Sequence, residues 1–152
     1  MEKMKLGYKL LISVVFILAA IQLIKPDTAN PKTEPAIEIV MEPHTKQILE
    51  RSCFDCHSNK TNWPWYSKIA PVSWIIAEHV EDGRKWVNFS EWESYDENKK
   101  LKLKKLVYRE VAKAMPLGIY KLAHKNAALS PDEIKEIRDW TGIKANEVSM
   151  RD

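Results

Sequence analysis

Several common patterns are missing from this sequence, and each absence narrows the possible folds and functions. No stretch alternates apolar and polar residues with the period of two that a half-buried strand shows, so the sequence predicts an all-α fold. The net charge is only +3, and acidic residues are mixed among the basic ones, which argues against binding to nucleic acid. No internal repeat is present, and 152 residues suffice for one domain with a hydrophobic core.

The N-terminus carries a positively charged flank followed by an apolar run. Lys3, Lys5 and Lys9 precede residues 10–24, which are almost all apolar. A cleaved signal peptide would have a small-residue site after this run, and a lipid-modified protein would have a cysteine there, but neither is present. The pattern predicts a signal anchor over residues 1–25, a transmembrane helix that holds the protein in the bacterial inner membrane with the rest of the chain in the periplasm.

A proline-rich segment follows the predicted anchor. Residues 26–42 contain several prolines and no glycine, which predicts an extended, stiff tether. The globular domain is expected at residues 43–143. The polar residues 144–152 are expected to form a flexible tail.

Helix start and stop patterns divide the globular part into helices. A first short helix is predicted from Pro43, and a second from residue 72 with Gly83 as its stop. Apolar residues recur at helical spacing over residues 97–114. The last predicted helix follows a capping box that begins at Ser130, and Gly142 closes it.

Both cysteines lie in the motif CFDCH, as Cys53 and Cys56, with His57 directly after them. A disulfide between them would close a loop of two residues, where the gain in chain entropy is smallest. A thioredoxin-like redox pair needs a preceding strand, and a structural zinc site needs further ligands from elsewhere in the chain. Attachment of haem c needs this spacing, because each thiol can bond one vinyl group while the histidine binds the iron. The motif therefore favours one covalent haem c over the other three sites.

The distal iron ligand is expected to be Met115. It stands in the sequence AMPLGIY between two predicted helices, and Pro116 favours a loop that could present the thioether sulfur to the iron. His79, on the apolar face of its predicted helix, is the alternative distal ligand. His124 and an open sixth position are further alternatives.

CFDCH, AMPLGIY and the capped terminal helix LSPDEIKEIRDW together resemble the single-haem class I c-type cytochromes. More narrowly, CFDCHSNKTNWPWYSKIAPVSW and HVEDGRKWVNFSEW are similar to an exported haem-binding domain family with one CxxCH motif, in which WPWYS and NFSEW recur. The resemblance covers about residues 52–140. It implies a cytochrome c-like helical fold in which Cys53, Cys56 and His57 carry the haem.

Aromatic and basic side chains after the motif are expected around the haem. We expect Trp63, Trp65 and Trp74 to wall the haem and to exclude water from it. Arg84 is a candidate for a charge-assisted, forked contact with a haem propionate, and the alternative is an ordinary surface arginine.

These features favour a one-electron carrier, anchored in the inner membrane by its N-terminal helix and serving unidentified redox partner proteins. The alternative is a haem-based sensor or ligand-binding module with a displaceable distal ligand. No acid–base pair is evident and only one CxxCH motif is present, so we do not expect an enzyme.

Overall fold

The computed structural model describes residues 2–148, with side chains from residue 5 onward. This part of the chain folds into α-helices joined by loops and short 3-10 helices, and it contains no strand, which confirms the predicted all-α class. The helices are α1 Glu2–Ile21, α2 Pro43–Ser52, α3 Phe54–His57, α4 Val72–Trp86, α5 Glu97–Lys113, α6 Gly118–Ala123 and α7 Pro131–Thr141. The predicted tail includes a 3-10 helix at Ala145–Glu147, and its residues 149–152 lie outside the described residues.

The hydrophobic core gathers around the start of the CxxCH turn. Helix α2 packs against α3 and α7, and α5 packs against α7. Phe54 stacks on Phe89 with ring centroids 5.6 Å apart, and Phe89 in turn contacts Trp92 at 5.9 Å. These three rings and Ile137 are almost completely buried. The NFSEW stretch therefore supplies core side chains beside the turn that carries the cysteines.

Helix α7 begins and ends as its sequence predicts. The Ser130 hydroxyl accepts a hydrogen bond from the Glu133 backbone N–H at 3.2 Å, and the Glu133 carboxylate accepts one from the Ser130 N–H at 2.8 Å. This reciprocal capping box satisfies two backbone donors that the first turn of a helix would otherwise leave unpaired. At the other end Gly142 has a φ of 67°, in the left-handed region where glycine carries no steric cost.

Helix α4 is longer than the sequence predicts. Gly83 is not its stop, because the helix continues to Trp86 and the Val87 N–H donates to the Gly83 carbonyl at 2.9 Å. Glycine inside a helix costs about 1 kcal/mol relative to alanine. Another interaction must therefore favour glycine at this position. It is the close contact of Gly83 with the backbone of Cys56, described below.

The predicted membrane anchor is wrong. Among the residues that the structure describes, no helix is both long and apolar enough to cross a membrane. Helix α1 ends at Ile21, and Lys9 interrupts its apolar surface. The part of α1 after Lys9 rises by only about 18 Å, whereas a hydrocarbon layer is about 30 Å thick. The single-pass inner-membrane localisation, inferred from the same run, is corrected with it.

The segment predicted as a tether contains no helix or strand, turns once at residues 35–37, and packs with its second half on the helical domain. Ile39 is 2% exposed, and its N–H donates to the Phe89 carbonyl at 2.9 Å. The Glu93 N–H donates to the Ile37 carbonyl at 2.8 Å. Two backbone hydrogen bonds therefore join residues 37–39 to the segment that carries the NFSEW stretch.

Candidate functional site

A large cavity opens beside the CxxCH turn. Its volume is about 750 Å³, within the range that protein sites use for drug-sized ligands and cofactors. Its walls come from the end of α2, from α3, α4, α5 and α7, and from the connection between α5 and α6. Cys53, Cys56 and His57 all line it, so the structure brings the predicted attachment residues to one wall of one cavity.

The two cysteines and the histidine share a single helical turn. The Cys53 N–H still bonds back to α2, donating to the Leu49 carbonyl at 2.7 Å, and the His57 N–H donates to the Cys53 carbonyl at 2.9 Å. Both thiols are free. Burial raises the pKa of Cys53 to about 12 and that of Cys56 to about 11, so both sulfurs carry their protons at neutral pH. These are thiols in an apolar wall, unlike the low-pKa thiolate of a redox-active pair.

The orientation of His57 is set by backbone carbonyls. Its Nδ1 lies 2.9 Å from the Gly83 carbonyl oxygen and 3.2 Å from the Val87 carbonyl oxygen. Carbonyl oxygens only accept hydrogen bonds, so Nδ1 must be the protonated nitrogen and Nε2 has a free lone pair. Burial lowers the pKa of His57, which favours this neutral form. A neutral imidazole with one nitrogen held by a carbonyl is the arrangement of a metal-binding histidine.

Gly83 allows α4 to lie directly against the CxxCH turn. A Cβ at this position would be 3.0 Å from the Cys56 carbonyl carbon and 3.1 Å from the Cys56 Cβ, and it would overlap the Cys56 carbonyl oxygen. Only glycine lets the two backbones come this close. Sequence reasoning assigned Gly83 to a helix end and so missed its role, although a glycine inside a continuing apolar helical pattern indicates close packing.

The candidate distal ligands enter the cavity from two parts of the chain. Met115 lines it from the α5–α6 connection, where its N–H donates to the Glu110 carbonyl at 2.8 Å. His79 lines it from α4, one turn before Gly83. His124, the residue directly after α6, also lines the cavity. The structure therefore brings all three candidates to the cavity.

Sequence reasoning missed a polar network that joins the cavity walls. The Tyr66 hydroxyl lies 2.6 Å from His124 Nε2, and the His124 ring stacks on Tyr120 with centroids 4.3 Å apart. The Tyr120 hydroxyl donates to Asp55 Oδ2 at 2.7 Å, and Asp55 lies between the two cysteines of the motif. All four residues line the cavity. The partners are far apart in sequence, so no local pattern indicates them.

The position of the three tryptophans relative to a haem stays a prediction. Trp63, Trp65 and Trp74 do not line the cavity. Trp65 is 74% exposed and meets Tyr66 edge-on. The indole N–H groups of Trp63 and Trp74 donate instead to the segment that follows α1.

Arg84 is not among the residues that line the cavity. Its Nε donates to the Ser58 carbonyl at 2.9 Å, and its Nη2 donates to Thr61 Oγ1 and to Asn30 Oδ1, each at 2.8 Å. These bonds engage Nε and Nη2, and the contact with a haem propionate stays a prediction. Arg84 thereby fixes the loop that follows the CxxCH turn.

The donor set fits a haem. One wall offers a neutral imidazole nitrogen, the soft sulfur of Met115 lies in another part of the lining, and much of the remaining surface is apolar. Imidazole and thioether are the axial ligands of many haem irons. Phe89 meets His57 edge-on at 6.4 Å and helps to keep this wall apolar.

Comparison with known proteins gives the same assignment. The family model described as "haem-binding domain" matches residues 16–142, most of the chain, and the protein belongs to this family. No curated protein and no solved structure matches the chain. The match begins well before the CxxCH motif, so it includes the last six residues of α1 and the segment predicted as a tether.

Proposed function

We propose that this haem-binding protein carries its haem covalently, as haem c, and transfers single electrons. Cys53 and Cys56 would form the two thioether bonds, and His57 would bind the iron as the proximal ligand. The observation that carries the proposal is the His57 ring, which two carbonyl oxygens hold with Nε2 free, on the same turn as two thiols that line the same cavity.

The thiols are in the chemical state that attachment requires. Each sulfur would add to a vinyl carbon and its proton to the neighbouring carbon, so the reaction consumes two reduced thiols and needs no oxidant. Cys53 and Cys56 are both free and protonated, which suits this addition. A haem iron supplies reversible one-electron chemistry, and the protein contributes its ligands, its orientation and an apolar surrounding.

Met115 is the proposed distal ligand. His79 lies four residues before Gly83, on the face of α4 that packs against the proximal turn. Met115 reaches the cavity from a different element, the α5–α6 connection. Met115 would hold the haem from an element that does not pack on His57, whereas His79 shares α4 with Gly83, whose carbonyl group holds the His57 ring. A thioether there raises the reduction potential, as expected of a carrier.

The alternative proposal, a sensor with a displaceable distal ligand, rests on the presence of three candidate ligands in one cavity. The His79 side chain makes no hydrogen bond with the residues that the structure describes, and it could replace Met115 at the iron. An external gas or a small base could do the same. In either proposal the protein is a binding or transfer protein rather than an enzyme, and its partners are unidentified redox proteins.

Acidified acetone tests the covalent attachment. It extracts non-covalent haem, so the colour of the wild-type protein should stay in the protein pellet. Cys53→Ala and Cys56→Ala combined should release all of it, and each single variant should retain one thioether bond. Colour in the acetone phase from the wild type would end the haem c proposal while leaving a haem-binding protein.

Carbon monoxide tests the carrier against the sensor. The reduced wild type should show nearly the same visible spectrum with and without the gas, because a bound Met115 closes the sixth position. A large spectral change at low gas concentration would favour the sensor.

A further inference from the structure

Side-chain hydrogen bonds fasten the segment after α1 to Ala70, just before α4, and to Trp74 in the first turn of α4. The Gln22 side chain makes two bonds to one backbone unit: its Nε2 donates to the Ala70 carbonyl at 3.0 Å, and its Oε1 accepts from the Ala70 N–H at 2.9 Å. The Trp74 indole N–H donates to the Ile24 carbonyl at 2.7 Å. Such bonds between residues about fifty positions apart hold the extended chain against the domain.

Asn30 fastens the segment at a second point. Its Oδ1 accepts from the Trp63 indole N–H at 3.2 Å and from Arg84 Nη2 at 2.8 Å. Its Nδ2 donates to the Thr61 carbonyl at 2.9 Å. One amide side chain therefore contacts an aromatic residue, a cation and the backbone of the loop that follows the CxxCH turn.

Arg84 connects this fastening to the proximal histidine. Its guanidinium binds Asn30 on one side and the Ser58 carbonyl on the other, and Ser58 directly follows His57. The residue before Arg84 is Gly83, whose carbonyl holds His57 Nδ1. The contacts run without a gap from the N-terminal segment through Arg84 to both the loop and the helix that orient the His57 ring.

We propose that residues 22–32 form a strap that positions the proximal loop, with Trp63, Trp74 and Arg84 as its fastening residues. The indole N–H groups act as donors to the strap, and the loop 58–61 is fixed between the strap and α4. The strap is an internal interface of this chain and exists whether or not a cofactor is bound. Its effect on the iron rests on the proposed haem function.

Hydrogen exchange on the full-length protein tests the strap itself. Trp63→Phe and Trp74→Phe each remove an indole N–H and keep a large ring. Each should speed amide exchange in residues 22–32 about fivefold, the loss expected for one ordinary hydrogen bond. Trp65→Phe is the matched control, because Trp65 is 74% exposed and bonds to no part of the strap. Unchanged exchange in the double variant, or an equal rise in the control, would refute the strap.

The effect on the iron is tested with Asn30. Asn30→Ala removes the strap's acceptor for Trp63 and Arg84 together with its donor to the Thr61 carbonyl, whereas Asn30→Asp keeps a carboxylate acceptor for Trp63 and Arg84 and loses only the donor. The ferric electron paramagnetic resonance spectrum reports the orientation of the axial imidazole. The spectrum should change in Asn30→Ala and return toward wild type in Asn30→Asp. Faster strap exchange with an unchanged spectrum would overturn the positioning role.

The two readouts separate this proposal from the proposed function. If the wild type holds no haem, the haem proposal fails, yet exchange in residues 22–32 still tests the strap. If haem is attached and the strap variants exchange like wild type, the strap fails and the haem proposal stands.

Discussion

The proximal turn (residues 53–57) and the Met115 segment (residues 115–124) border the same cavity and are built differently. In the proximal turn, backbone carbonyls hold the His57 ring and glycine lets α4 touch the Cys56 backbone. In the Met115 segment, α6 is one short helix without buried residues, tied to the facing walls by the hydroxyls of Tyr66 and Tyr120. Backbone packing thus fixes the orientation of His57, the proposed proximal ligand. Met115, the proposed distal ligand, is held by a connection that has fewer constraints.

The largest effect is expected from breaking the backbone packing of the proximal turn. Gly83→Ala would place a methyl group on the Cys56 carbonyl, so α3 and α4 must separate. Overpacking of this kind typically costs about 1–3 kcal/mol, which exceeds the roughly 1 kcal/mol that alanine gains inside a helix. We expect a lower denaturation midpoint and a sharp loss of attached haem, measured by the ratio of haem to protein absorbance.

The Met115 segment offers a matched control for this substitution. A Cβ at Gly118 would meet no atom within 4 Å, and Gly118 is the first residue of α6. Gly118→Ala should therefore leave haem content unchanged and stability equal or slightly higher. If Gly83→Ala and Gly118→Ala lowered stability and haem content equally, the proposed difference in packing between the two regions would be wrong.

Exchange of the distal ligand should have an intermediate effect. A thioether is a soft, neutral ligand that favours ferrous iron, so Met115→Ala should lower the reduction potential and let carbon monoxide bind readily. His79→Ala should change neither property. Redox titration of both variants measures the reduction potential, and carbon monoxide titration measures access to the iron. The opposite pattern, with only His79→Ala altering the potential, would show bis-histidine ligation and favour the sensor.

Part of the site could be predicted from the sequence, because some of its features depend only on residues that are close together in the chain. The CFDCH motif predicted three cavity-lining residues, because its spacing places two thiols and an imidazole on one helical turn. The capping box at Ser130 was equally local, and it predicted the start of α7 correctly. Met115 was placed in a loop by the proline that follows it, and the structure agrees.

What the patterns missed depends on contacts between distant residues. The closeness of Gly83 to Cys56 arises from two helices meeting, so a glycine that looked like a stop was in fact a packing site. The hydrogen bonds of the Trp63 and Trp74 indole N–H groups are of the same kind, because their acceptors lie on residues 30 and 24. The membrane prediction failed because residue composition gives hydropathy but not the point where a helix ends.

The smallest effect is expected from removing one hydrogen bond between the two regions. The Tyr120 hydroxyl donates to Asp55 Oδ2, and burial together with the Asp55 charge raises the pKa of Tyr120, so this donor keeps its proton at any working pH. Tyr120→Phe removes the hydroxyl and retains the ring that stacks on His124. Asp55 keeps its other hydrogen bond, from the Asn62 N–H at 2.9 Å, so no carboxylate is left without a donor.

The variant should therefore lose only about 1 kcal/mol of stability, the usual net worth of one hydrogen bond. Haem attachment and the reduction potential should match wild type, since neither the thiols nor the axial ligands are touched. Carbon monoxide should bind somewhat faster, because the Met115 segment is then held to the facing walls by Tyr66 alone. Denaturant titration and gas-binding kinetics measure the two effects separately. A large fall in haem content would mean that the Met115 segment constrains the proximal turn, contrary to the independence of the two regions.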